Sequence, residues 1–441
     1  MSAARQLLGA VRRHGGGPKF RRSFSGSSSG LRDVVIVAAK RTPFGGFHGG
    51  LASLSAVQLG SVAIKAAVEE ANVKPEQVQE LFMGNVLSSG LGQAPARQAA
   101  LEAGLSLHCV CTTVNKVCAS GMKAVMLGAQ SIAMGVNDLV VAGGMESMSN
   151  APYLMSRARA PKHTGELKLQ DSMMRDGLWD PIKNVSMGDI AESCAAEMNI
   201  SREDQDQHAI RSYERATAAQ ATGILSHEIV PLTISGQKGK ENVVSQDEEC
   251  SKFDPEKLQS LHPAFKGDGT VTAGNSSTIS DGAAVLVLSS AAFAEKEGLK
   301  ILARVRGFGD AEQAPEKFPT SPALAIPRAL NHAGLQLKDV DLFEINEAFS
   351  VVDIANQQLL GLSPDQVNVY GGAVSLGHPI GASGARIIMS LITGLAFKNL
   401  KVGVAAVCNG GGGASAIVVE RDDSHVLHEH GRARLEVKDE A

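Results

Sequence analysis

Separated segments of the chain carry side chains able to act as a nucleophile and to move protons. In VNKVCASGMKAV, residues 114 to 125, Cys118 stands before Ala119, Ser120 and Gly121 and a run with helical spacing. A thiol at the first turn of a buried helix meets the partial positive charge of unpaired N–H groups. That position favours the thiolate and suits a nucleophile. An isolated cysteine is more often an inert core residue, but three features argue otherwise here. His378, in GAVSLGHPIGASGARI, is bracketed by Gly377 and Gly381, which let a ligand approach closely. Cys408 ends an apolar run and precedes four glycines in VAAVCNGGGGASAIVV. Four glycines favour no regular element, so close backbone approach to a ligand is the reason expected for them. Asn346 and Glu347 follow an apolar strand in FEINEAFS, where polar side chains are costly unless paired or used.

Alternating elements must bring these segments together. DVVIVAAKRTPFG (33 to 45) reads as a buried strand, LSAVQLGSVAIKAAVEEANV (54 to 73) as a helix, and VQELFMGNVLSS as strand and loop. The run after Cys118 keeps Met122, Val125, Met126, Ala129, Ile132 and Ala133 at three- and four-residue steps, which predicts a helix, and DLVVAGGMESMS predicts another buried strand. The alternation predicts a layered α/β core. A second copy follows. Ala63, Ile64, Ala71 and Val78 match Ala325, Ile326, Ala333 and Val340 at a constant offset of 262, and Leu81 and Asn85 match Leu342 and Asn346 one residue shorter. An offset of 260 from Cys118 lands on His378. Duplicated halves packed about a pseudo-twofold axis would set cysteine and histidine face to face.

Composition narrows the chemistry. The chain has 441 residues, 44% of them apolar, enough for two or three cores. Residues 1–32 hold Arg5, Arg12, Arg13, Lys19, Arg21, Arg22 and Arg32, a serine-rich end and no acid. This composition predicts a mitochondrial transit peptide, hence the mitochondrial matrix. Without those cations the net charge is about −11, which argues against a nucleic-acid partner. No apolar run is long enough for a membrane span. Six cysteines without a C-x-x-C pair fit no closed zinc site, and a reducing matrix disfavours disulfides. Residues 154 to 272 are more polar and read as an insertion, and RDDSHVLHEHGRARLEVKDEA, 421 to 441, as a charged mobile tail.

VNKVCASGMKAV, NEAFS, GHPIGASGAR and CNGGGGASA, in this order, resemble the signature blocks of the thiolase family over about 33 to 420. GGMESMSNAPY (143 to 153) and Phe318-Pro319 are similar to its short-chain mitochondrial branch, which makes acetoacetyl-CoA. The resemblance implies the α/β thiolase fold, a duplicated five-layered α-β-α-β-α core. Its N-terminal half would span 33–153 and 273–298, a loop domain over CoA 154–272, and its C-terminal half 299–420. It implies reversible Claisen condensation of two acetyl-CoA to acetoacetyl-CoA and CoA, in a homotetramer. Cys118 would accept the acyl group, His378 act as its base, and Cys408 remove the α-proton of the second acetyl-CoA. Asn346 would hold a water that completes one oxyanion hole with His378, and the N–H groups of Cys118 and Gly410 the other. CoA would meet Tyr213, Lys252, Phe253, Asp254, Lys257 and Ser277. A potassium ion would lie at Tyr213 and carbonyls near Ala273, Gly274, Ser276 and Val374; Gly274 and Ser276 replace alanines of that branch. The rival readings are a degradative 3-ketoacyl-CoA thiolase with a wider acyl pocket and an inactive CoA-binding subunit.

Overall fold

The computed structural model describes residues 30–155, 166–235 and 241–427. Residues 1–29 of the leader expected over 1–32, and residues 428–441 of the expected tail, lie outside the described residues. The principal strands are β1 (Val34–Arg41), β2 (Glu80–Gly84), β3 (Val110–Val114), β4 (Leu139–Ser147), β5 (Ser280–Ser290), β6 (Ala303–Glu312), β7 (Leu342–Ile345), β8 (Val402–Asn409) and β9 (Gly413–Arg421). The principal helices are α1 (Ala56–Glu70), α2 (Ser120–Ala133), α3 (Met187–Met198), α4 (Arg202–Ala221), α5 (Pro322–Ala333), α6 (Ser350–Leu360) and α7 (Ser383–Phe397).

The strands form one ladder in the order β3-β2-β4-β5-β1-β6-β9-β8-β7. Its two halves meet at a short seam, Val35 opposite Arg304 and Ile36 opposite Ala303. The duplication is visible strand for strand. β2 runs parallel to β4 as β7 runs parallel to β8, and β5 and β9 close each half antiparallel. The second-half counterpart of β3 has shrunk to a single parallel bridge, Phe343 to Val367.

Three apolar clusters define the layers. Leu59 and Ile64 of α1 pack on Leu81, Val141 and Val285 at one outer face. Met122 and Val125 of α2 meet Ile388 and Leu391 of α7 between the halves, against Leu286, Val407 and Ile417. Ile326 and Leu330 of α5 cover Val404, Ala406 and Val418 at the other outer face. Along β8, Val404 and Ala406 therefore face outward and Ala405 and Val407 inward, the alternation expected of a strand buried on both faces. The expected α-β-α-β-α layering is present. Burying each such Leu, Ile or Val side chain contributes about 1.5–3 kcal/mol.

Small residues let the halves approach at the centre. A Cβ on Gly144, in β4, would lie 1.9 Å from the Gly381 carbonyl oxygen, so the loop bearing His378 presses against the first half because this position is glycine. Strict equivalence of Cys118 and His378 is not found. Ser120-Gly121 and Ser383-Gly384 open α2 and α7, an offset of 263, which makes Gly381 the counterpart of Cys118. The turns before the two helices differ in length, and the histidine sits three residues earlier.

None of the named strands between Ser147 and Ser280 joins the main ladder. This stretch is fastened by Arg41 at the end of β1. Its guanidinium donates to both oxygens of Asp247 at 2.7 and 2.9 Å and to Glu228 at 3.0 Å, all three side chains buried. The charged tail also starts later than its composition suggests. Arg421 is buried and donates to Leu400 O, His425 O and Asn399 Oδ1, which fixes residues up to His425 against the second half.

Candidate active site

Cys118 stands in a tight turn two residues before α2. Val117 has φ 48°, a left-handed conformation that a β-branched residue adopts only under strain. Local hydrogen bonds hold it there. The Val117 N–H donates to Asn115 Oδ1 at 3.0 Å, and the Ser120 hydroxyl accepts from the Lys116 N–H at 2.8 Å while donating to Val117 O at 2.6 Å. Lys116 Nζ crosses to the second half, 3.0 Å from Asp310 Oδ1 and 3.1 Å from Ser415 Oγ. Burial works against the Asp310 carboxylate, but Lys123, Ser415 and Lys116 outweigh it and hold its pKa at about 2.

The thiol opens onto a cavity of about 540 Å³ that His378 and Gly410 also line, with Met148, Met187, Phe265, Phe318, Phe349 and Ile380 supplying apolar walls. The expected depression of the Cys118 pKa is not found. Burial pushes it up to about 11 against the pull of the Gly410 and Cys118 backbone N–H groups, and Glu146 adds to the rise. Both N–H groups predicted for an oxyanion hole thus act on this sulfur. His378 is driven down to about 3, first by burial and then by Arg386. The resting pair is a neutral thiol and a neutral imidazole.

Cys408, at the end of β8, is buried among Ile190, Phe318, Ala348 and Phe349, just behind the cavity wall. Burial raises its pKa well above the ordinary thiol value, and a charge on Cys118 raises it further. Phe318, Ala348 and Phe349 line the cavity, so the second sulfur lies behind the wall of the cavity onto which Cys118 opens. The four glycines after it divide the work differently from expectation. Gly410 lines the cavity, whereas Gly411 and Gly412, at φ 88° and 92°, turn the hairpin from β8 to β9. A Cβ on Gly412 would meet Gln313 O at 2.3 Å, and one on Gly413 would meet the Asn409 side chain at 2.5 Å.

The polar pair after β7 separates into two roles. Glu347 is fully paired, accepting from Ser212 Oγ at 2.8 Å, Asn368 Nδ2 at 3.0 Å and the Val374 N–H at 3.2 Å, with His208 Nε2 at 3.2 Å. Asn346 is fully buried, its Nδ2 3.5 Å from His378 Nε2 and its Oδ1 without a hydrogen-bond partner among the described residues. Glu347 is held by four partners, whereas Asn346 turns its Nδ2 toward His378 and keeps an unpartnered Oδ1.

Residues 34–292 match the thiolase N-terminal domain and residues 299–421 the thiolase C-terminal domain. The chain belongs to the thiolase family. It is 58% identical over 391 residues to acetyl-CoA acetyltransferase 2 of Arabidopsis thaliana, covering 88% of this thiolase and 97% of the plant protein. Mitochondrial acetyl-CoA acetyltransferase of Rattus norvegicus is 51% identical over 392 residues, 89% of this chain and 92% of its own. The Acat5 thiolase of Ascaris suum, solved in complex with coenzyme A, superposes with a TM-score of 0.84 at 44% identity, over 89% of this chain and 100% of its own.

Of the CoA-side residues expected from the sequence, Lys252 and Ser277 line the cavity of this thiolase. Lys252 Nζ lies 2.5 Å from Glu249 Oε1, and Ser277 Oγ donates to Ala348 O at 2.8 Å. Phe253 stacks on Tyr213 with ring centroids 5.1 Å apart, Asp254 accepts the Lys257 N–H at 3.0 Å as a helix cap, and Lys257 is exposed. These four stand outside the cavity lining. Of the expected potassium ligands, Ala273 and Ser276 line the cavity. Tyr213 and Val374 pack together with Leu258, and a Cβ on Gly274 would touch Leu258 at 2.8 Å. Phe265 and Met187 carried no signal in the sequence, because an isolated apolar residue in a polar stretch looks like any partly buried one.

Proposed function

We propose that this thiolase is an acetyl-CoA C-acetyltransferase that condenses two acetyl-CoA to acetoacetyl-CoA and CoA, reversibly, through an acetyl group on Cys118. The observation that carries the reading is one apolar cavity lined by the Cys118 thiol and the His378 imidazole, with the Cys408 thiol packed against its wall residues Phe318, Ala348 and Phe349 and the buried Asn346 amide 3.5 Å from the imidazole. Such a set suits making and using an enolate.

The proton inventory follows from the neutral resting state. As Cys118 attacks the thioester, its proton passes to His378, and the growing oxyanion lies at the N–H groups of Cys118 and Gly410. One such donor typically contributes about 10²- to 10³-fold in rate. The departing CoA thiolate takes a proton from Cys408, leaving a thiolate base beside the acetyl-enzyme. Cys408 then removes an α-proton from the second acetyl-CoA. The enolate oxygen rests on the protonated His378 and on a water held by Asn346. Carbon attack on the acetyl group expels Cys118, which recovers its proton from His378. Every group ends as it began. Covalent capture replaces one difficult acyl transfer by two easier ones.

The segment 154–272 would cover CoA as a loop domain, Lys252, Phe253, Asp254, Lys257 and Ser277 would meet the cofactor, and Tyr213 with carbonyls near Ala273, Gly274, Ser276 and Val374 would hold potassium. Oxygen donors suit a hard cation, and a buried carboxylate, Glu347, lies one hydrogen bond from Val374. Activity on acetoacetyl-CoA and its 2-methyl homologue should exceed that on a medium-chain 3-ketoacyl-CoA and rise with added potassium. Faster cleavage of the medium-chain substrate would instead mark a degradative enzyme, and a rate indifferent to potassium would remove the ion.

The Arg-rich, acid-free stretch to residue 32 supports delivery to the mitochondrial matrix. The paired strands Tyr153–Met155 and Leu169–Asp171 expose Tyr153 and Leu169 at 66% and 65%, apolar surface that supports a homotetramer. Protein isolated from the matrix fraction should lack the leader and show four times the chain mass in light scattering; a full-length cytosolic monomer would overturn both.

A further inference from the structure

His378 has two ring nitrogens, and only one can take the Cys118 proton. Its Nδ1 lies 2.5 Å from Ser383 Oγ, and the same hydroxyl lies 3.0 Å from Pro379 O. A hydroxyl has one hydrogen, and a prolyl carbonyl can only accept. With the Ser383 hydrogen on Pro379 O, which also accepts the Ala382 and Ser383 N–H groups at 2.8 and 3.0 Å, the hydroxyl lone pair faces Nδ1 and Nδ1 carries the proton. On the far side of the ring, Nε2 faces the Asn346 amide nitrogen, a donor, at 3.5 Å. In that arrangement donors and acceptors match in one direction: Asn346 N–H to Nε2, Nδ1–H to Ser383 Oγ, Ser383 O–H to Pro379 O.

Resting on the reading of His378 as base, we propose that Ser383 is a positioning residue that sets the His378 tautomer, keeping the proton on Nδ1 and Nε2 bare to accept the Cys118 proton. Sequence and fold make it rigid. Ser383 opens α7 and bonds back four residues to Pro379, a local hydroxyl-to-carbonyl bond natural at a helix start. Ser383 is fully buried and His378 nearly so, which keeps water from competing for Nδ1. A carboxylate at this place would also fix the tautomer, but it would stabilise the imidazolium and hold the base charged. A serine orients the ring and leaves it neutral at rest. It leaves His378 able to release its proton to Cys118 at the end of the cycle.

The test compares Ser383→Ala, Ser383→Thr and His378→Gln with the wild type, in single-turnover acetylation of Cys118 followed by intact mass. Ser383→Ala should acetylate about 10²-fold more slowly with KM for acetyl-CoA changed less than about 2-fold, and Ser383→Thr, which keeps the hydroxyl, should recover most of the rate. Nitrogen-15 spectra of ring-labelled wild type should show His378 protonated at Nδ1 and bare at Nε2. A proton on Nε2 in the wild type, or wild-type acetylation by Ser383→Ala, overturns the proposal. Should His378→Gln acetylate as fast as the wild type, the reading of His378 as base falls instead. If Ser383→Ala fails to fold, the wild-type spectrum alone decides.

Discussion

A Cys118→Ala enzyme should carry no acetyl group after exposure to acetyl-CoA, and its turnover should fall by at least about 10⁴-fold, the scale on which covalent catalysts lose rate with their nucleophile. The side chain contributes little to the fold. It is partly exposed to the cavity, and the turn beneath it is held by Asn115 and Ser120, which the substitution leaves in place. CoA should therefore bind as before, and calorimetry on CoA with intact-mass analysis on acetyl-CoA separates loss of chemistry from loss of folding. A mere CoA-binding subunit would show no adduct in the wild type either. An adduct that persists in Cys118→Ala would move the nucleophile elsewhere, with Cys408 the first place to look.

Much of this arrangement was legible in the residues. Continuous β-branched runs announced β1 and β4, and three- and four-residue spacing announced α1 and α2, because a two-sided sheet leaves each strand no polar face. The 262-residue offset announced the duplication that the paired halves display. The four blocks around Cys118, Asn346, His378 and Cys408 pointed to residues that the fold gathers. Other features were illegible for physical reasons. The direction of the Cys118 shift depends on burial by distant segments, which local spacing does not encode, and here burial outweighs the helix start. Asn346 and Glu347 are neighbours with the same expected cost. Only the three-dimensional partners of Glu347, drawn from α4 and from Asn368 and Val374, show that it is satisfied and Asn346 is not. The role of Glu146 was equally hidden. Its carboxylate takes N–H groups from Val86, Leu87 and Gly381 and the Asn85 amide, pinning the His378 loop to the first half. Burial raises its pKa to about 7 despite those donors.

The two thiols are chemically alike, so the assignment of roles between them rests on position, and Cys408→Ala tests it directly. Cys118 keeps its cavity wall, its two N–H groups and His378 in that variant, so the acetyl-enzyme should still form. Condensation needs a base at the α-carbon of the second acetyl-CoA, and none of the other groups is placed for it: His378 is protonated at that stage, and Cys118 is acylated. Loss of a positioned base typically costs about 10²- to 10⁴-fold, and acetyl-Cys118 should accumulate to one per chain when turnover stalls. Release of the first CoA should also slow, because in the proposed cycle Cys408 would supply its proton, but less than condensation, since water can reach a leaving thiolate more readily than a carbon acid can find a base. A stopped-flow burst of one CoA per site followed by a suppressed steady state is the expected record. Equal loss of burst and steady state would mean that Cys408 serves acyl transfer as much as enolate formation, and the division of labour between the sulfurs would have to be redrawn.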